Sequence, residues 1–193
     1  MLIDLSVLVT EEASQAAFAN ESMAAFGHLG THFDIMNKEF PISYLKREGI
    51  VFNVKGSRDE EINERSVDLS VVRPDMFVAF YSGFGELFDY GTKAYFSGHP
   101  QLSNQLIAAL LAKRISIIGI DFAGIRRGPE HTPKDQYCAD RGVFIVENMC
   151  NLDKVIDGQE ISFHHQYLSL EVRRPFRFAL SGGCRGPAAA LNR

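Results

Sequence analysis

Two histidines and an aspartate stand at alternating positions in the segment Gly27-His28-Leu29-Gly30-Thr31-His32-Phe33-Asp34. On an extended chain, alternate side chains share one face, so His28, His32 and Asp34 would converge. On a helix, His28 and His32 would align and Asp34 would point away. Gly30 lies between the histidines on the same face and leaves room for an ion or a substrate. Two imidazoles and a carboxylate form a borderline-hard donor set that suits Zn²⁺, Mn²⁺ or Fe²⁺. Three protein ligands with open positions is the catalytic pattern rather than the closed structural one. The spacing alone fits equally well two strand histidines hydrogen-bonded to neighbours, with Asp34 in a turn.

The elements that must hold these residues read as an α/β chain. Leu2 to Val9 is a short apolar run with strand character, and Met76 to Tyr81 is a strand bounded by Pro74 and Gly83. Ser103 is a helix N-cap candidate before the helical stretch Gln105 to Lys113, and Ile115 to Ile120 follows as a buried strand ending in Asp121. This strand, helix, strand run points to a crossover with parallel pairing. Ala-rich Glu11 to Phe26 reads as helix or partly ordered loop. Ile42 to Gly49 reads as a short helix closed by its glycine, and Gly49 to Val54 as a strand. Lys134 to Arg141 reads as a helix closed by Gly142, and Val143 to Val146 as a buried strand ending in Glu147. Ser162 to Val172 and Phe176 to Leu180 read as late strands that pair with each other. Ligands in α/β sheets sit beyond the carboxyl ends of strands. Asp121 fits a turn cap better, whereas Glu147 has Asn148 and Asn151 nearby to do the capping.

Composition narrows the class without giving chemistry. The 193 residues carry a formal net charge of -4, with 46% hydrophobic and 23% charged residues, as an ordinary globular chain does. One domain over 1–193 is the expectation. The mild acidity leaves no electrostatic footprint for nucleic acid or an anionic membrane. No apolar run approaches the roughly 20 residues that a membrane helix needs. The start, MLIDLSVLVTEE, is acidic and lacks a signal-peptide pattern. Cys138, Cys150 and Cys184 are odd in number and show no CxxC spacing, which suits a reducing, cytoplasmic setting.

The segment GHLGTHFD resembles the metal motif of the cyclase family that includes bacterial kynurenine formamidase and isatin hydrolase. That motif runs His-x-Gly-Thr-His-x-Asp-x-Pro-x-His. The opening Ile3-Asp4-Leu5-Ser6 resembles the family's first strand. Ser97-Gly98-His99-Pro100-Gln101-Leu102-Ser103 resembles its usual His-Pro-x-Leu-Ser stretch. Ile118-Gly119-Ile120-Asp121 and Glu147-Asn148-Met149-Cys150-Asn151-Leu152 resemble two later blocks. The resemblance implies a swivelling β/β/α cyclase-like fold, with a mixed sheet flanked by helices, in a homodimer or homotetramer. It implies an arylformamidase-like hydrolase that uses metal-activated water on an amide, cyclic amide or lactone carbonyl of a small substrate. His28, His32 and Asp34 then match the ligands of one divalent ion, Zn²⁺ or, second to it, Mn²⁺.

The chain also departs from that pattern. The family's Pro falls at Met36 and its final His at Lys38, and a further second-site His falls at Asp135, while Glu147 is kept. Asp135 and Glu147 thus read as the remnant of a second metal site. One expectation is that Lys38 fills that space, held by Asp135 and Glu147, and stabilises an oxyanion. His131 is a stand-in for the lost catalytic His, as a neutral imidazole that shuttles protons near pH 7. Arg126 could pair with a substrate carboxylate, although the loop Arg126 to Pro133 fits a solvated surface loop as well. Phe84, with Phe77, Phe80, Phe88 and Phe96, reads as core or interface, or as a wall for an aromatic substrate. His99 reads as a packing or capping residue. The alternative functions are a small-molecule-binding member that has lost the second metal site and its activity, and an assembly protein.

Overall fold

The computed structural model describes residues 3–19, 28–56, 61–155, 161–170 and 176–181. Seven strands form one mixed sheet: β1 (His32–Asp34), β2 (Lys46–Asn53), β4 (Phe77–Tyr81), β6 (Ile117–Ile120), β7 (Phe144–Glu147), β8 (Ile161–Leu170) and β9 (Phe176–Ser181). Their order is β1-β7-β6-β4-β2-β8-β9. β3 (Glu61–Ile62) and β5 (Gln101–Leu102) make a small parallel pair beside it. The helices are α1 (Glu11–Ala19), α2 (Lys93–Gly98), α3 (Asn104–Ala112) and α4 (His131–Ala139). No helix among the described residues is long and apolar enough to cross a membrane.

The centre of the sheet is parallel because its strands are apolar on both faces. β2, β4, β6 and β7 run parallel to one another, and every residue of β4, β6 and β7 is buried. Such runs fit a sheet covered on both sides. Alternation then divides them into two cores. Ile50, Phe52, Val78, Phe80, Ile118, Ile120 and Ile145 pack with Leu106, Ile107 and Leu110 of α3. Val51, Phe77, Ala79, Ile117, Phe144 and Val146 pack on the other face with Phe33, Phe40 and Phe163. Antiparallel β1, β8 and β9 flank this block, and the sheet curls until its two edges, β1 and β9, lie near each other.

Several local signals act as the residue types dictate. The Ser103 hydroxyl accepts from the Leu106 N–H at 3.0 Å and starts α3. Asp121, at the end of β6, accepts from the Ser82 hydroxyl at 2.6 Å and the Gly83 N–H at 2.8 Å, which ties down the turn after β4. Gly142 takes φ +73° just beyond α4.

Two expected elements differ. Ile42 to Gly49 is not a helix: a 3-10 turn over Ile42–Leu45 runs directly into β2, and Gly49 lies inside that strand. The glycine is there because Phe77 of β4 and Phe163 of β8 close in on it. Leu5 to Val9 is not a full strand either, and Leu2 is outside the described residues. The segment makes one isolated bridge, Ser6 with Met149, and sends Leu8 outward, 81% exposed. Of the Ala-rich stretch, α1 covers the first part and residues 20–26 are outside the described set. Cys184 and residues 171–172 also lie outside it.

His99 packs as expected. It is 2% exposed, stacks on Phe122 at 5.5 Å, and donates from Nδ1 to the Pro100 carbonyl at 2.7 Å. Burial pushes its pKa down to about 4. A histidine depressed in the folded state costs stability as pH falls, because the unfolded chain takes up the proton first. Relative to His99→Phe, the parent protein should therefore lose about 2–3 kcal/mol between pH 7 and pH 4.5. Urea denaturation of both proteins at the two pH values measures this, and a pH-independent gap would refute it.

Candidate metal centre

The site forms where β1 pairs antiparallel with β7. This register sets His32 directly opposite Glu147, so their side chains emerge as neighbours on one face of the sheet. Asp34 follows His32 on that same face. α4 packs over β7 and adds His131 and Asp135, which are one helical turn apart.

His28 arrives by a different route from the one that alternation predicts. The strand starts only at His32, and Gly30 takes φ +71°, a left-handed turn that favours glycine. A Cβ there would also lie 3.0 Å from Val9 Cγ2. The turn folds His28 back so that its Nε2 is 3.2 Å from Asp34 Oδ1, with His32 Nε2 at 3.7 Å from the same oxygen. The two imidazoles stack at 5.0 Å between ring centres.

A hydrogen-bonded scaffold fixes this arrangement. His32 Nδ1 donates to the Gly30 carbonyl at 2.9 Å, which leaves the Nε2 lone pair facing Asp34 and Glu147. The Asn148 amide donates to the same carbonyl at 3.0 Å, and the Tyr95 hydroxyl donates to Asn148 Oδ1 at 3.1 Å. The Gly30 N–H donates to Tyr90 Oη at 2.6 Å. Thr31 Oγ1 donates to the Asn148 carbonyl at 2.6 Å. Sequence reasoning missed Thr31, Tyr90, Tyr95 and Asn148 as supports. Only the place of Thr31 and Asn148 beside candidate ligands could have suggested them. Asn148 sits at φ +57°, so Asn148→Gly removes the amide without adding backbone strain. It should weaken metal affinity roughly 10- to 100-fold, read by titration with Zn²⁺ and a chromogenic chelator.

A second cluster adjoins the first. His131 Nε2 lies 3.0 Å from Glu147 Oε1 and 3.1 Å from Asp135 Oδ2. Glu147 Oε2 is 3.8 Å from His32 Nε2. Asp34, Asp135 and Glu147 are all buried, whereas the His28 and His131 side chains are 48% and 36% exposed and form the open side. Burial alone would raise the Asp34 pKa, but the imidazoles beside it, His32 foremost, hold it down at about 2. Burial and the nearby Asp34 push Glu147 well above the usual carboxylate range. Burial raises Asp135 to about 6 against the pull of His131. Burial lowers the His32 pKa.

The structure corrects four expectations. Lys38 does not lie between Asp135 and Glu147. Its ammonium pairs with Asp140 at 2.7 Å on the partly exposed end of α4, because the turn after β1 carries Lys38 past the cluster. Its place is taken by His131. His131 in turn is not a neutral shuttle: Asp135 and Glu147 raise its pKa to about 11, so it holds its proton at neutral pH. Arg126 is not presented to a substrate carboxylate. It is buried, and its guanidinium donates to Glu61, Glu130 and the Leu102 carbonyl. Phe84 is 1% exposed in the core, against Phe88 and Tyr95, and lines no wall. Lys38→Ala should then change stability by less than about 1 kcal/mol, as exposed ion pairs do, and leave metal content unchanged. Thermal melts and elemental analysis check both points.

The donor geometry suits a divalent ion. Ligands about 2.1 Å from a tetrahedral ion stand about 3.4 Å apart, close to the 3.2 and 3.7 Å that separate the two imidazoles from Asp34 Oδ1. His28 Nε2, His32 Nε2 and one Asp34 oxygen would hold it. The buried carboxylates point the same way, because buried anions need paired cations. A cavity of about 910 Å³ is lined by the supporting Tyr90 and Tyr95 together with Tyr81, Asp121, Met149 and Cys150 among others, and by none of the candidate ligands.

Comparison with known proteins agrees with this architecture. A solved structure described as a potential metal-dependent hydrolase with cyclase activity is 18% identical, covers 97% of this chain and 99% of its own, and superposes with a TM-score of 0.64. Isatin hydrolase A from Ralstonia solanacearum is 12% identical over 94% of this chain and 92% of its own, with a TM-score of 0.67. An isatin hydrolase bound to the product analogue thioisatinate is 16% identical over 80% and 72%, with a TM-score of 0.63. At these identities the likeness is one of fold. No curated protein matches by sequence. The model of the Cyclase family, however, matches residues 3–126, well over half of the chain and the whole His28–Asp34 segment. Sequence and fold thus agree, and this chain belongs to the Cyclase family.

Proposed function

We propose that this protein is a metal-dependent hydrolase acting on an amide, cyclic amide or lactone carbonyl of a small substrate, in the manner of an arylformamidase. The observation that carries this reading is the convergence of His28 Nε2, His32 Nε2 and Asp34 Oδ1 on one point beside the buried carboxyl of Glu147. A divalent ion bound there, with Zn²⁺ first and Mn²⁺ second, polarises a carbonyl and lowers the pKa of water to about 7.

The chain's own residues supply the rest. Asp34 stays ionised and keeps His28 and His32 gathered around it. His32 is locked in the tautomer that leaves Nε2 free to ligate. Glu147, with its raised pKa, is placed to exchange a proton at Oε2, on the side that faces His32. His131 holds Glu147 in position by donating from Nε2 to Oε1. The exposed edges of His28 and His131 mark where substrate would approach.

The test is turnover of N-formylkynurenine, isatin and simple lactones by purified protein of measured metal content. The expected result is hydrolysis of at least one class, abolished by chelation and by His32→Ala. Bound metal with no turnover on any of them would overturn the hydrolase reading and favour a ligand-binding member of the family.

A further inference from the structure

The cavity of about 910 Å³ lies beyond the carboxyl ends of β4 and β6, where Tyr81 closes β4 and Asp121 follows β6. Ligands of α/β sheets sit at such ends, and the volume is that of a site for a small organic molecule. Its walls have two characters. Leu8 and Met149 supply apolar surface, and Tyr81, Tyr90 and Tyr95 supply aromatic rings. Glu12, Glu86, Asp89 and Asp153 add carboxylates at exposed positions, against Lys154 as the one basic residue among the described lining residues. Asp121 is already committed to Ser82 and Gly83. Among the described residues, the carboxylates of this wall form no metal-binding group. Lys55 shows what the wall attracts: its ammonium lies 5.5 Å from the Tyr81 ring centre and 2.7 Å from Glu86. Two of the same tyrosines hold the turn between the candidate ligands His28 and His32. Tyr90 Oη accepts from the Gly30 N–H at 2.6 Å, and Tyr95 reaches the Gly30 carbonyl through Asn148. Both backbone polar groups of Gly30 therefore trace to the cavity wall.

We propose that this cavity is a binding site for a small organic cation, an amine carried on an aromatic body, and that its occupancy tightens the metal centre. The apolar and aromatic wall takes the ring, and the carboxylates and phenol rings answer the ammonium. A carboxylate carried on the same ring meets like charge and is rejected. An amine seated against Tyr90 and Tyr95 restricts both side chains, and through them the Gly30 turn with His28 and His32. Metal binding then has less left to order, so the two ligands favour each other. Linkage requires the same factor in both directions. The amine site stands without the metal and without the hydrolase reading, and only the coupling uses His28 and His32.

The experiment is calorimetric titration of tryptamine, and of indole-3-propionate as its anionic counterpart, into chelator-stripped and Zn²⁺-loaded protein, with circular dichroism to confirm folding. Stripped protein should bind tryptamine at least about tenfold more tightly than indole-3-propionate. Leu8 is 81% exposed, so Leu8→Lys adds a cation to the lining at no cost in packing and should weaken tryptamine about fivefold. Zn²⁺ should tighten tryptamine at least about fivefold, and tryptamine should tighten Zn²⁺ by the same factor. Tyr90→Phe combined with Tyr95→Phe removes only the hydroxyls that lead to Gly30. It should bring the coupling below about twofold and leave tryptamine binding to stripped protein in place. No binding of tryptamine to stripped protein, equal binding of the two indoles, or indifference to Leu8→Lys would overturn the site. Tryptamine binding that needs Zn²⁺ and is lost in His32→Ala would put the amine on the metal and overturn it as well. Tryptamine binding with no effect on Zn²⁺ affinity would overturn the coupling and leave the cavity site standing. Stripped protein that binds tryptamine and takes up no Zn²⁺ would overturn the metal reading instead.

Discussion

Asp34→Asn should strip the protein of bound divalent metal and lower kcat/KM by at least about 10³-fold. Asp34 is within ligand distance of both histidines of the first cluster and belongs to the second cluster as well. Asparagine keeps the volume and one oxygen but removes the charge that holds a cation between two imidazoles. Loss of metal-derived transition-state stabilisation is worth several kcal/mol, and each 1.36 kcal/mol is a factor of about ten. The fold should persist, because the substitution is isosteric and neither Phe33 nor Ile35, its buried neighbours in sequence, changes. Elemental analysis and steady-state kinetics give the two readings. A variant that keeps its full metal content would show that Asp34 is not a ligand.

The second large effect is on stability. Gly49→Ala should cost about 3 kcal/mol or more, the upper range for overpacking, and lower Tm by roughly 6–12 °C in a chain of this size. Gly49 pairs with Phe77 of β4 on one side and Ile161 of β8 on the other. A methyl group there would run into the Phe77 carbonyl oxygen and lie 2.8 Å from Phe163 Cε2. The obstacle is backbone inside a ladder, which cannot yield without breaking strand pairing. Gly119→Ala is the informative control. Its Cβ would meet the Phe77 ring and Met149 Sδ, and side chains can shift, so its cost should be smaller. Differential scanning calorimetry of the two variants measures the gap, and a Gly49→Ala protein as stable as Gly119→Ala would refute the backbone argument.

How far the sequence reaches depends on whether an interaction is local. The strands Met76 to Tyr81 and Ile115 to Ile120 and the Ser103 cap were legible because apolar runs and a hydroxyl before a helix act within a few residues. The triplet His28, His32 and Asp34 was legible as a set. Its reason was only half right, since alternation accounts for His32 and Asp34 whereas His28 depends on the left-handed turn at Gly30. Gly49 misled because a glycine that ends a helix and one that admits a neighbouring strand look alike until the neighbour is known. Lys38 misled for a related reason: position in a motif fixes the backbone, while the side chain follows whichever charge it meets, here Asp140.

The sequence by itself determined the α/β class and the residue types of the first candidate metal site, because these rest on periodicity and short spacing, while the motifs of GHLGTHFD and the later blocks carried the resemblance to the family. Tertiary structure decided which distant groups join that site. The antiparallel register of β1 on β7 sets His32 against Glu147, and the packing of α4 on β7 turns His131 and Asp135 inward. Asn148 and Tyr95 became supports only through bonds to Gly30 and to each other across the fold. These contacts join residues far apart in the chain, and their geometry is set by strand order and helix placement, which no local pattern encodes.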